Sequence, residues 1–259
     1  MSSIIIPVVF VVAIGIIAGV GLSLASVFFG VKNDEKQEKI RGCLPGANCG
    51  SCGYSGCDGY AAAIASGEAS PDKCAPGGAK TAQMLSEILG TEIKTDKKAA
   101  FIGCSRTEEN SKLLYSYEGI KSCEAASLVL KGPLACEYGC IGFGDCVKAC
   151  KFEAIKFENN LPIVCKDLCT GCGDCAKVCP KQLIDLLPLK SKVSVGCKNK
   201  SKGPSVVKNC AVSCIACGMC EKACKFDAIH VKDNLAVIDY DKCKGCKACV
   251  KACKRGVIK

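Results

Sequence analysis

Twenty-six of the 259 residues are cysteine, and their spacing points to one kind of chemistry. Cys214, Cys217, Cys220 and Cys224 follow C-x2-C-x2-C-x3-C. So do Cys169, Cys172, Cys175 and Cys179, with Pro180 behind them, and so do Cys243, Cys246, Cys249 and Cys253. Three thiolates three residues apart wrap the backbone round a small cubic iron–sulfur core, and the fourth, just beyond, is free to ligate a different cluster. One such run is compatible with zinc; three, with a fourth near-copy, specify clusters that carry electrons. The competing use of many cysteines is a disulfide scaffold, which belongs to short secreted chains. Open thiols at cluster spacing belong in a reducing cytosol.

The elements that must position these cysteines repeat. CVKACKFEAIKFENNLPIV begins at Cys146 and CEKACKFDAIHVKDNLAVI at Cys220, an offset of 74 residues. The offset superimposes Cys140 on Cys214, Cys146 on Cys220, Cys150 on Cys224, and Cys169, Cys172, Cys175 and Cys179 on Cys243, Cys246, Cys249 and Cys253. Each unit reads as cysteine loop, short helix, hairpin, cysteine loop, short helix. The hairpins turn at Asn159-Asn160 and Asp233-Asn234, because Asx residues tolerate the positive φ of a tight turn.

Each unit resembles a bacterial two-cluster ferredoxin, and in such domains the fourth ligand is exchanged between clusters. The resemblance implies one set of Cys214, Cys217, Cys220 and Cys253 and a neighbour of Cys243, Cys246, Cys249 and Cys224. In the first unit it implies Cys169, Cys172, Cys175 and Cys150. The remaining set departs from the pattern, since Phe143 stands where the other copy has Cys217. Cys140, Cys146 and Cys179 then need a fourth ligand, and Cys136 is expected to supply it. The alternative for Cys136 is a buried thiol beside a three-iron cluster.

A further group lies in CLPGANCGSCGYSGCDGYAAAIASGEASPDKC. Cys49, Cys52 and Cys57 share a glycine-rich loop, and Cys74 follows an Ala-rich stretch expected to be helical from Tyr60 to Ser66. Zinc usually prefers two separated C-x2-C pairs; here the glycines let backbone N–H groups approach cluster sulfurs, and the setting favours a cluster. Ahead of this group, Ile4 to Gly30 carries no charge. About 20 apolar residues cross a bilayer, and a signal peptide would want a basic n-region, which Met1-Ser2-Ser3 is not. The stretch is therefore expected to be a retained transmembrane anchor. Lys32, Lys36, Lys39 and Arg41 follow it, so the positive-inside rule places the bulk of the chain in the cytoplasm, at a bacterial inner membrane. Gly15, Gly19 and Ser23 form a stripe of small residues that would let a partner helix approach. The span has no ionisable group, so it anchors and does not translocate ions.

An apolar N-terminal anchor, PGANCGSCGYSGCDGYA and a tandem ferredoxin tail together resemble the RnfB family of the Rnf membrane complexes. The resemblance covers nearly the whole chain, and PGANC-xx-CGY-x-GC is its most specific part. It implies a membrane assembly that moves electrons between reduced ferredoxin and NAD, coupled to sodium or proton translocation, with this chain as the place where ferredoxin electrons come in. It also implies soluble ferredoxin and other membrane and peripheral subunits as partners.

The fold expected is α+β, with a single N-terminal transmembrane helix, a small Fe-S domain and tandem bacterial-type two-cluster ferredoxin domains. The boundaries are 1–31 for the anchor, 32–90 for the N-terminal 4Fe-4S domain, 91–131 for a linker, and 132–196 and 197–259 for the ferredoxin-like domains. An amphipathic helix is expected over 79–90, closed by Gly90. The linker is expected to hold a short strand, AAFIG, and a short helix, EAASLVLKG. At least five [4Fe-4S] clusters are expected, each near −2 with its thiolates, and five would offset the formal net charge of +10. The dispersed lysines are thus compensation for clusters and not a nucleic-acid surface; Trp is absent, which weighs against base stacking.

Six cysteines remain. Cys43 and Cys165 look structural. FIGC at Cys104 echoes SVGC at Cys197, and IKSC at Cys123 echoes VKNC at Cys210, whereas the 74-residue offset pairs Cys123 with Cys197 and Cys136 with Cys210. Cys104, Cys123, Cys197 and Cys210 either assemble a sixth metal site or are small buried hydrophobes. His230, the single histidine, sits in a hairpin strand. No GxGxxG opens a helix and no Walker loop is present. No residue is expected to be catalytic: the chain does no substrate chemistry beyond electron transfer, and NAD or flavin chemistry falls to another chain of the oxidoreductase.

Overall fold

The computed structural model describes residues 2–28, 35–93 and 97–259; within the first helix, side chains are described at positions 6, 10 and 12–24. Met1, the end of the expected anchor (Phe29 to Val31), Lys32 and residues 94–96 of the expected linker lie outside the described residues.

Helix α1 runs Ser2–Phe28, 27 residues without a charge. Its described side chains face away from the protein: Phe10, Val12, Ile14, Ile16, Ile17, Val20, Leu22 and Leu24 are all exposed. Among the described residues, no helix is both long and apolar enough to cross a membrane. The run of described side chains, 12–24, covers only about 20 Å at 1.5 Å per residue.

The N-terminal unit packs α2 (Glu35–Cys43), α3 (Cys57–Ala65) and α4 (Gly78–Leu89) around Ile40, Tyr60, Ile64 and Leu85. The Ala-rich stretch is helical because Ala loses no side-chain entropy there. Helix α4 ends as the sequence predicts, with Gly90 at φ 65 in the left-handed region.

The two ferredoxin units each have their own core. In the first, β1 (Lys98–Ile102) precedes α5 (Cys123–Leu128), α6 (Asp145–Lys148), the hairpin β2 (Ile155–Glu158) and β3 (Leu161–Val164), α7 (Asp174–Lys177) and β4 (Ile184–Pro188). In the second, α8 (Pro204–Asn209) and α9 (Met219–Lys222) precede the hairpin β5 (Ile229–Lys232) and β6 (Leu235–Ile238), and α10 (Ala248–Ala252) closes the chain. Among the described residues the sheets are three antiparallel pairs, β1–β4, β2–β3 and β5–β6. Both hairpins turn at the expected Asx pairs, with Asn159 and Asn160 at φ 49 and 56 and Asp233 and Asn234 at φ 48 and 60.

The strand expected inside 91–131 is not a free connector. It pairs along its length with β4, Ala100 opposite Leu186, and Ala100 joins the core of Ile155, Leu183 and Ile184. The second unit makes the equivalent closure through its own C-terminus, where Val195 bridges to Ile258. The cores are small because short strands and four-residue helices offer little apolar area; cysteines stand among the buried residues of all three.

Candidate cluster sites

None of the 26 cysteines is joined to another by a disulfide. The cysteine loops share a backbone habit. Positions 142 and 144, 171 and 173, 216 and 218, and 245 and 247 all have positive φ. Alternating left-handed residues turn successive N–H groups inward, making a concavity that favours anionic sulfur. Glycine supplies six of the eight positions at no steric cost; Ala216 and Lys247 adopt the same conformation with a Cβ.

The second unit gathers its thiols as the ferredoxin resemblance implies. Cys214, Cys217, Cys220 and Cys253 line one pocket, with Val257 and Ile258. Cys224, Cys243, Cys246 and Cys249 line another, with Val193 and Ile238. Ala228 N–H donates to Cys224 Sγ at 3.4 Å. In the first unit Cys175 lies near Cys172, Cys169 and Cys150, and burial, reinforced by those neighbours, pushes its thiol up to about 12. Ala100 N–H donates to Cys169 Sγ at 3.3 Å, so β1 supports that loop directly.

At the irregular loop the thiols that share a pocket differ from those the sequence expectation grouped. Cys140, Cys146 and Cys179 line a pocket with Cys123, not with Cys136. Asp145 ties the Cys123 segment to this loop. Its Oδ2 accepts from Ser122 Oγ at 2.9 Å, Cys123 N–H at 2.7 Å and Glu124 N–H at 3.3 Å, which clasps the first turn of α5 against the cysteine loop. Phe143, in the place of the missing cysteine, packs on Tyr117 with ring centroids 5.7 Å apart. Cys136 sits elsewhere, close to Cys197, Cys104 and Cys210.

In the N-terminal unit Cys49, Cys52 and Cys57 surround Cys74; burial first, then those three neighbours, raises the Cys74 thiol. Two residues that sequence reasoning passed over hold this loop. Asn48, at φ 45, accepts from Cys57 N–H at 2.8 Å, so it caps α3 from eight residues before its N-cap glycine. Tyr60 donates its hydroxyl to the Ser70 carbonyl at 2.8 Å and accepts Lys73 N–H at 3.1 Å, fixing the segment that carries Cys74. Asn in the PGAN turn was a readable signal; the tyrosine's reach across the fold was not. Arg106 is likewise new: buried, it donates from Nε to the Cys140 carbonyl at 2.5 Å and from Nη2 to the Ile141 carbonyl at 3.3 Å.

These donor sets fit [4Fe-4S] clusters. Burial pushes the metal-free thiols of Cys140 to about 12 and of Cys146 and Cys220 to about 11, so their thiolates need a cation to persist, and iron supplies it. Among the described residues no three potential ligands converge on a single ion. A four-iron core holds its thiolates farther apart than one ion does, and the sets lie in apolar pockets with N–H groups on sulfur.

Some of the sets are neighbours. Cys74 and Ser51 face Thr170, Gly171 and Cys172 across one cleft, and Lys151 Nζ reaches the Cys49 carbonyl at 3.5 Å. Cys175 in turn lies near Cys146. In the second unit Cys217 and Cys246 are exposed, whereas the other described cysteines are buried or half-buried.

Fold and thiol sets together define a multi-cluster, ferredoxin-type electron-transfer protein. Residues 44–76 match the family described as "Putative Fe-S cluster", and residues 168–228 and 213–258 each match a "4Fe-4S dicluster domain". The chain is 42% identical to the B subunit of the Na(+)-translocating ferredoxin:NAD(+) oxidoreductase complex of Acetobacterium woodii, over all of this chain and 78% of that protein. It is 38% identical to the B subunit of the ion-translocating oxidoreductase complex of Methanosarcina acetivorans, over all of this chain and 99% of that one. With the B subunit of the proton-translocating ferredoxin:NAD(+) oxidoreductase complex of Clostridium ljungdahlii it shares 39% identity, over all of this chain and 93% of the relative. The chain belongs to this RnfB family, the B subunits of ion-translocating ferredoxin:NAD oxidoreductase complexes, as its motifs indicated.

Proposed function

We propose that the chain takes electrons one at a time from soluble reduced ferredoxin at its C-terminal unit and conducts them to the cluster of the N-terminal unit, beside the membrane, for the other subunits of the complex. The observation that carries this reading is the exposure of Cys217 and Cys246 in the distal unit, while Cys74 of the N-terminal unit faces the Cys172 loop across a cleft. The ligand sets are those four; Cys150, Cys169, Cys172 and Cys175; Cys123, Cys140, Cys146 and Cys179; Cys214, Cys217, Cys220 and Cys253; and Cys224, Cys243, Cys246 and Cys249. Bound there, each cluster supplies a one-electron store. Lys222, Lys225, Lys244, Lys247, Lys251 and Lys254 crowd the distal unit, which suits an acidic carrier that must dock quickly and leave again.

Helix α1 is read as a transmembrane anchor with the bulk on the cytoplasmic side. An uncharged helix of 27 residues exposes its apolar described side chains all round, and such a surface is stable only in lipid or against another apolar helix. Lys36, Lys39 and Arg41 on its C-terminal side agree with that orientation.

Cys57→Ala in the assembled complex tests the path. The distal clusters should remain reducible by ferredoxin while ferredoxin-driven NAD reduction by the complex stops. An undiminished rate of NAD reduction would show that electrons leave the chain by another route.

A further inference from the structure

We propose that Arg106 tunes one cluster: its buried positive charge raises the reduction potential of the cluster held by Cys123, Cys140, Cys146 and Cys179, which then accepts an electron more readily. The proposal rests on the reading above that those four thiols hold a cluster.

Arg106 belongs to none of the cysteine runs and is only 7% exposed. A guanidinium stays ionised in proteins, and a buried charge is costly unless a counter-charge lies near. No ion pair among the described residues includes Arg106. Its partners are carbonyls. Nε donates to the Cys140 carbonyl at 2.5 Å, and Nη2 donates to those of Ile141 at 3.3 Å and Asn160 at 3.5 Å. The nearest acidic residue in sequence, Glu108, is exposed and accepts from Asn160 Nδ2 instead. Carbonyls orient the guanidinium but do not neutralise it, so its full charge stands beside the Cys140 loop.

The loop is shaped to receive this side chain. Gly142 has φ 96, and a Cβ there would come within 2.9 Å of Arg106 Nη2 and 3.0 Å of the Asn160 carbonyl. Glycine thus clears a place for the guanidinium between the loop and the β2–β3 turn. Its field reaches the sulfur: burial and then Cys104 push the Cys140 thiol up to about 12, and Arg106 opposes that rise. The second unit has no charge at the matching place. Counted from Cys104 and Cys197, Arg106 corresponds to Asn199, which is buried and neutral, its Oδ1 accepting Ser201 N–H at 2.8 Å. The arginine of that unit, Arg255, reaches the Cys214 pocket from a half-buried position.

The direction of the effect follows from charge. One electron from reduced ferredoxin takes a cluster with its thiolates from near −2 to near −3, with no bond made or broken. A fixed cation stabilises the more negative state more, so it raises the potential. Burial leaves this attraction less screened by water and salt than one between exposed charges.

A redox titration of the anaerobically purified full chain, followed by EPR, tests the proposal. Cys140→Ala identifies this cluster's signal as the one it removes. Arg106→Gln keeps a donor for the loop and loses the charge. It should lower that midpoint by about 59 mV, a tenfold loss in the one-electron reduction equilibrium, and shift the other midpoints less. Arg106→Lys keeps the charge and should hold the midpoint near its native value. Lys148→Gln, which removes an exposed charge from α6, should shift it far less than Arg106→Gln. The proposal is overturned if Arg106→Gln leaves the midpoint unmoved, or if the Gln and Lys variants lower it alike, as loss of a structural role would. If the native chain shows no signal that Cys140→Ala removes, the ligand set itself fails and the tuning with it. Should Arg106→Gln not assemble the cluster, Arg106→Lys decides: a native midpoint supports the proposal and a lowered one overturns it.

Discussion

At the scale of single residues, what matters is how a side chain lets a thiol reach a cluster. Gly171 has φ 72, and a Cβ there would collide with the Lys98 carbonyl of β1. Gly173 has φ 83 but meets only Leu186 Cδ1, at 3.4 Å, ordinary contact. Gly173→Ala should therefore cost about 1–2 kcal/mol for the left-handed conformation alone. Gly171→Ala adds the collision and should cost more, seen as a larger drop in the urea midpoint of the holo-protein; the reverse ranking would mean that β1 does not press on the loop. Asn48 carries a second prediction. Asn48→Ala loses the cap on Cys57 N–H and strains a left-handed position, for about 1–2 kcal/mol. Asn48→Gly loses only the cap and should cost less, which urea unfolding of the two variants decides.

At the scale of elements, α5 places Cys123 beside Cys140, Cys146 and Cys179, and in the function proposed above this completes the irregular cluster set. It is six residues long and capped by Ser122, whose own hydroxyl is held by Asp145. Asp145→Ala leaves three donors without their acceptor; Ser122 Oγ and Cys123 N–H are half-buried and each costs about 1–3 kcal/mol when unpaired, whereas Glu124 is exposed and can turn to water. Cys123 should then swing away from Cys140 and Cys146, and one four-iron EPR signal should convert to a three-iron one. Asp145→Asn keeps an accepting Oδ1 and should preserve the signal. Retention of the native spectrum in Asp145→Ala would show that α5 is held by something else. The two hairpins need no such help, since their Asx turns set the pairing of β2–β3 and β5–β6.

For the whole molecule, the energetics follow from small size per core. Each of the three cores is a handful of aliphatic residues interleaved with cysteines, so little apolar area is buried without metal. When ligand sets are not preformed in the unfolded chain, binding free energy becomes folding free energy. Removal of iron under reducing chelation should abolish the cooperative thermal transition of the two ferredoxin units and collapse their far-UV signal. A chelated protein that still melts cooperatively would mean that the apolar cores suffice alone. Charge points the same way. The formal +10 of the chain is self-repulsive without clusters near −2 each, and dispersed lysines gain their counter-charge only on assembly.

The sequence by itself determined what is local. Thiol spacing within each C-x2-C-x2-C-x3-C run sets the chemistry, the Asx pairs set the hairpin turns, Gly90 ends its helix, and the 74-residue repeat gives two like units, because each depends on residues a few positions apart. Tertiary structure alone decided what depends on distant partners. Cys136 stands much closer in sequence to Cys140 than Cys123 does, so spacing favours Cys136, and nothing in their neighbours reveals that Asp145 clasps Cys123 while segment 110–112 carries Cys136 towards Cys210. The strand in 91–131 looked like a connector because its partner, β4, lies more than eighty residues away. Arg106 gave no periodic or spacing signal, yet it holds the Cys140 carbonyl. Spacing can fix which residues share a loop, whereas the choice among loops is made by hydrogen bonds and packing between segments that the chain brings together only on folding.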